Sequence, residues 1–218
     1  MRPVSYYADK SKPKPLLRGV SHQYGFFISV VLAMYLLYVT PTESLVPIVL
    51  YCFGFCGMLG TSSSYHRLKW TIEEEVWVRR LDYVMISVMI AGCFTPFCWL
   101  ALESAYSTFV LWALWGGVGF CVFLNLVWVD SPKVFRTSVY IVLGWLGLPL
   151  FPEILETCGL ACTTLVVIEG LLHTAGGLIY AFQTFDPLPE IFGYHEIFHA
   201  CVLIAAFIHY YAVLTFIL

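Results

Sequence analysis

Residues 194–217 read YHEIFHACVLIAAFIHYYAVLTFI, and this run decides the fold class. As a helix it is about 36 Å long, enough to cross a hydrocarbon layer of about 30 Å. Its polar groups crowd at one end. His195 and His199 lie four apart, so their imidazoles share one helix face a single turn from each other. That spacing suits a metal such as zinc. Polar groups at the edge of a lipid-buried helix are costly and are kept where they have a job.

Working outward, the rest of the chain repeats the pattern. It has 218 residues, of which 60% are apolar and only 11% charged, where a soluble domain carries roughly 25% charged. The mean hydropathy is +0.83. Seven apolar stretches are expected to form helices, at about 20–39, 44–65, 82–102, 106–129, 134–152, 159–182 and 194–217. Thr40-Pro41-Thr42, Asp130-Ser131-Pro132 and Asp186-Pro187-Leu188-Pro189 punctuate them. The expected fold is an all-α membrane protein, a seven-transmembrane helix bundle over 20–218 preceded by a mobile cytoplasmic tail at 1–19. The first stretch is not expected to be a cleaved signal peptide, because it follows a polar tail of about 19 residues and exceeds the usual 7–15-residue apolar region.

Orientation follows from the basic residues. Arg2, Lys10, Lys12, Lys14 and Arg18 precede the first helix. Arg67, Lys69, Arg79 and Arg80 fall between the second and third, and Lys133 and Arg136 between the fourth and fifth. In a seven-span arrangement these are all eleven Lys and Arg, on one side. The opposite connectors hold Glu43, Glu103, Glu153 and Glu156. The amino terminus is therefore expected to be cytoplasmic and the carboxyl terminus extracellular or lumenal. Eight cysteines lie mostly within apolar stretches, where a thiol packs as a small hydrophobe; Cys158, near a helix end, is the exception to watch.

The ionisable residues converge in depth. His22, His66, Asp82, His195 and His199 all sit at the cytoplasmic ends of their helices. His66, His195 and His199 supply the three protein ligands of a zinc site. Asp82 either binds the metal directly or holds its water, and Ser62, one turn deeper than His66, supports them together with His22. Zinc lowers the pKa of a bound water to about 7, and a nearby carboxylate, Asp82 or Glu196, can take the proton. The run also fits the H-E-x-x-H pattern of zinc proteases. Their third ligand lies downstream, yet Ala205 stands where an extended motif places its His, and the one later histidine, His209, is deep in the helix. A bland reading, interfacial histidines bonded to carbonyls or phosphates, suits one His better than four aligned groups. Deeper still, Glu169 and His173 lie four apart on the sixth helix, level with His209. They form an interhelical hydrogen bond, relay protons or contact a ligand. Gly116-Gly117 and Gly176-Gly177 read as points of close helix packing.

Three segments carry a resemblance. Ser62-Ser63-Ser64-Tyr65-His66, Leu81-Asp82-Tyr83 with Ile90-Ala91-Gly92-Cys93-Phe94-Thr95-Pro96-Phe97, and Phe192-Gly193-Tyr194-His195-Glu196-Ile197-Phe198-His199 resemble the hemolysin III-like proteins, relatives of the progestin and adipoQ receptors. Ser21-His22 is similar too. The resemblance implies zinc held near the cytoplasmic face by His66, His195 and His199, with Asp82 contacting it through water and Ser62 as the motif serine. The receptor relatives commonly carry an amide in place of Glu196. Two positions depart from the pattern: Leu16-Leu17-Arg18-Gly19 lacks an expected acid, and His173 stands where many relatives carry an aromatic. The resemblance leaves three functions open: a zinc-dependent hydrolase of a ceramide-like lipid amide, a receptor or signalling protein braced by structural zinc, and a hemolysin-type pore. The expected partners are membrane lipids, one of them a substrate or ligand, and no nucleic acid. The sequence leaves the choice between plasma and internal membrane open, as it does protein partners.

Overall fold

The computed structural model describes residues 14–218 and is built of helices. The tail residues 1–13, with Arg2, Lys10 and Lys12, lie outside the described residues. Seven α-helices are present: α1 Val20–Val39, α2 Leu45–Arg67, α3 Ile72–Pro96, α4 Ala105–Val127, α5 Lys133–Trp145, α6 Phe151–Phe182 and α7 Tyr194–Phe216. Six helical segments among the described residues are long and apolar enough to cross a membrane; one of these, Lys133–Phe182, contains both α5 and α6. Large apolar side chains such as Phe27, Trp112 and Leu160 are exposed on the outside, as a bundle solvated by lipid requires.

Two elements differ from expectation. The third helix begins at Ile72 rather than near 82. Thr71 accepts from the Glu74 backbone while the Glu74 carboxylate accepts from the Thr71 backbone, and Glu73, Glu74 and Glu75 fill the first turn. This capping box starts the helix well before its apolar stretch. Its far end passes Pro96 into a π-helical turn, Phe97–Ala101. The segment from 133 to 182 is not one rod. Gly159, at φ 80° and ψ 172°, breaks the helix in a conformation that favours glycine. The arms on either side run antiparallel: Trp145 Nε1 donates to Thr174 Oγ1 at 3.0 Å, and Thr137 lies against Gly177.

Helix register brings one end of the bundle together. α1 and α7 run parallel, with partners offset by 177 or 178 residues: Arg18 with Glu196, His22 with His199, and Leu32 with Tyr210. α2 runs antiparallel to α1, so Ser62 meets His22 and His66 meets Gly19. α2 and α3 touch closely at Gly54 and Gly92, where an added Cβ would come within 3.0 Å of the Val88 carbonyl and 3.2 Å of the Leu50 carbonyl. That antiparallel register carries Ser62 to the level of Asp82. α6 and α7 are likewise antiparallel, packing at Gly176 against Cys201. Gly117 and Gly177 also admit close neighbours, Leu143 and Thr137, whereas Gly116 has open space beside it. All eight cysteines are free, and most are buried.

Candidate metal centre

The amino end of α7 is fixed first. Asp186 Oδ1 accepts from the Tyr194 backbone at 3.0 Å, and Glu196 Oε2 accepts from the Gly193 backbone at 2.9 Å. These bonds satisfy donors that a helix start leaves unpaired and set the angle at which His195 and His199 emerge. Glu196 Oε1 also accepts from Arg18 Nε, which ties the start of α1 to α7. Leu16 and Leu17 extend that tie, donating backbone hydrogen bonds to the Glu190 and Ile191 carbonyls at 2.9 and 3.1 Å. Gly19 follows, with φ 76°, and its missing side chain leaves the space that His66 Cβ fills.

His66, His195 and His199 then meet. One nitrogen of each lies within 4.8 Å of the others. His195 Nε2 and His199 Nε2 are 3.1 Å apart, and the His66 ring centroid is 4.9 Å from that of His195 and 5.1 Å from that of His199. Zinc–nitrogen bonds of about 2.0–2.1 Å in a tetrahedron set nitrogens about 3.3 Å apart, so the closest pair already matches a metal's demand. His199 is 2% exposed, and its Nδ1 is buried without a hydrogen-bond partner. With Nε2 turned to His195, this Nδ1 is not the atom an ion would complete and calls for an acceptor such as water; the three converging nitrogens carry the fit. The donor set thus fits a cation.

The supporting residues surround this cluster. His22 stacks on His199, with ring centroids 3.9 Å apart and planes 9° from parallel. Its Nε2 donates to the His199 carbonyl at 3.2 Å, which leaves the neutral ring's Nδ1 to accept from Ser62 Oγ at 2.8 Å. Tyr180 meets His195 edge to face at 5.1 Å, and Lys133 Nζ donates to the Tyr194 hydroxyl at 3.2 Å. Asp82 stands outside the three-nitrogen cluster, beside Ser62 and within the field of Arg136, and is 8% exposed. Arg136 is itself buried, its guanidinium donating to the Val129 and Ser131 carbonyls and lying 3.8 Å from the Tyr83 ring centroid. Arg18, Lys133, Arg136 and Tyr180 escaped the sequence reading. Arg18 alone left a signal, a basic residue placed directly before α1.

One cavity of about 860 Å³ joins these groups. His66, His195, His199, Ser62 and Asp82 line its inner end. Met89, Trp145 and Val202 line its middle, and Phe94, Glu169 and His173 lie deeper. Glu169 and His209 pair there across α6 and α7: His209 Nδ1 lies 2.8 and 2.9 Å from the two carboxylate oxygens, while Nε2 donates to the Cys93 carbonyl at 3.0 Å. The interhelical hydrogen bond is therefore present. His173 faces the cavity instead.

The family model described as Haemolysin-III related matches residues 10–210. Hemolysin-3 homolog of Bacillus subtilis (strain 168) is 28% identical over 56% of this chain and 55% of its own length. Adiponectin receptor protein of Drosophila melanogaster is 27% identical over 73% of this chain and 40% of its own. Progestin and adipoQ receptor-like protein 1 of Caenorhabditis elegans is 27% identical over 76% of this chain and 43% of its own. The chain thus spans about half the length of these relatives. Together with six helical segments able to cross a bilayer, the match makes the chain a multi-pass integral membrane protein.

Proposed function

Since the chain belongs to the haemolysin-III-related family, we propose that it is a zinc-dependent hydrolase of a lipid amide, ceramide-like in class. The observation that carries this reading is the single cavity, which places converging imidazoles and a buried carboxylate at one end of an apolar chamber. Apolar walls receive an acyl chain, and the polar end receives the amide.

In this reading the chain crosses twice between Lys133 and Phe182, reversing at Gly159 within α6, which makes seven crossings, with the amino terminus cytoplasmic and the carboxyl terminus extracellular or lumenal. The charge asymmetry supports it: Arg18, Arg79, Lys133 and Arg136 all stand around the histidine end of the cavity.

His66, His195 and His199 hold the zinc, which when bound supplies Lewis acidity toward a carbonyl and toward water. Water adds across the amide C–N bond; Asp82 takes one proton from water and passes it to the departing nitrogen, giving a carboxylic acid and an amine, which leave as carboxylate and ammonium once the acid's proton moves to the amine. Ser62 donates to His22, and His22 fixes the His199 ring. Glu196 has both oxygens engaged, by Arg18 and by the Gly193 backbone, so it acts as a positioning residue.

The second reading, a receptor or signalling protein with structural zinc, is favoured by one observation: the cluster ties α2 to α7, with α1 stacked behind. Turnover of a ceramide-type amide by the purified chain, lost on chelation and restored by zinc, is the expected result. A zinc-loaded, folded chain that cleaves no lipid amide in detergent or bilayers contradicts the hydrolase and leaves the structural zinc.

A further inference from the structure

The deep end of the cavity holds polar chemistry that amide hydrolysis does not use. Glu169 and His173 lie one turn apart on α6, and both line the cavity. His209 does not line it; it grips Glu169 from behind and is itself anchored on the Cys93 carbonyl. Glu169 is thereby oriented, with lone pairs left over, since a carboxylate has about four acceptor sites and meets one nitrogen here. His173 makes no hydrogen bond with any described residue. Above it, Tyr51 is fully buried with an unpartnered hydroxyl, its ring 5.3 Å from that of His209. The remaining lone pairs of Glu169 and the His173 imidazole, one turn apart on the cavity wall, have no partner among the described residues.

We propose that Glu169 and His173 form a subsite for a hydroxyl group carried on the far end of an amphiphile whose head lies at the His66–His195–His199 end. A hydroxyl both donates and accepts, which matches Glu169 as acceptor and His173 as its neighbour in either tautomer. A cationic amine matches less well. The Glu169–His209 pair shares its own charge, so an ammonium would bring an unbalanced positive charge into the apolar interior. The middle of the cavity, with Ile86, Met89, Trp145 and Val202, suits a hydrocarbon linker.

Length follows from helix geometry. Glu169 is level with its partner His209, ten residues or about 15 Å along α7 from His199, and His173 lies one turn nearer. An extended chain advances about 1.2 Å per bond, so about twelve carbons separate the two polar groups. This inference rests on the reading of the cavity as a lipid site.

The test compares dodecanoate with 12-hydroxydodecanoate by calorimetric titration of the purified, zinc-containing protein. The terminal hydroxyl is expected to tighten binding about tenfold. His173→Phe is expected to abolish that gain, so that the two compounds bind alike, and His173→Asn to retain part of it. Equal binding of the two compounds by the wild-type chain, or a tenfold gain that survives His173→Phe, overturns the subsite and leaves the lipid cavity standing. If neither compound binds the wild-type chain, the lipid cavity and the subsite both fail. Should His173→Phe lose dodecanoate as well, His173→Asn decides: a partial gain supports the subsite, and a gain equal to wild type overturns it.

Discussion

The two ends of the cavity are both built from histidines on facing helices, yet they are finished differently. At the deep end His209 has each nitrogen matched, one by Glu169 and one by the Cys93 carbonyl. That pair is complete within the protein. At the other end three imidazoles turn toward one another with no acid in the cluster. Like groups gathered without a counter-group are stable only when something outside the chain completes them. The contrast separates a pair that holds helices together from a cluster suited to hold an ion.

Four variants sharpen or break that contrast, in order of expected effect. His199→Ala should abolish zinc retention and lower the unfolding temperature, because structural zinc contributes on the order of 10 kcal/mol in small peptides. Elemental analysis of the purified variant checks it, and retention of wild-type zinc would place the ion elsewhere. Asp82→Asn keeps size and is expected to cut lipid-amide turnover by about 10²- to 10⁴-fold with zinc content unchanged. Turnover left intact would remove Asp82 from proton transfer.

Glu169→Ala strands His209 in the interior and should cost about 3–5 kcal/mol, read by denaturation in detergent, with zinc content again unchanged. Loss of zinc in that variant would mean the two ends are one structural unit. Gly19→Ala should have the smallest effect. Its Cβ would collide with His66 at a position of φ 76°, so a loss of somewhat more than 1 kcal/mol is expected, with weaker zinc affinity as the specific mark in a metal-competition titration.

Much of the fold was legible because a bilayer imposes a length on apolar runs. α1, α2, α4 and α7 begin and end close to where hydropathy puts them. The start of α3 was not, since apolarity reports only the part of a helix that lipid surrounds. The capping box at Thr71 and Glu74 projects the helix ten residues beyond that part. The reversal at Gly159 was half legible: two stretches were expected, but a glycine among apolar residues reads equally as helix packing.

The site was legible in depth and hidden laterally. His66, Asp82 and His195 could be placed at one level by counting turns. Which helices stand side by side depends on registers such as Gly54 on Met89 and Gly25 on Leu203, which one sequence does not display. Glu196 illustrates the cost of that gap. Its place in H-E-x-x-H suggests a base, but Arg18, remote in sequence, occupies one of its oxygens.

The central claim is that three imidazoles grip a cation at the inner end of the bundle. Metal content per chain, measured after purification without added zinc, tests it most directly. About one zinc per folded chain is the predicted result. A folded preparation carrying no stoichiometric metal, and taking up none when zinc is supplied, would contradict it.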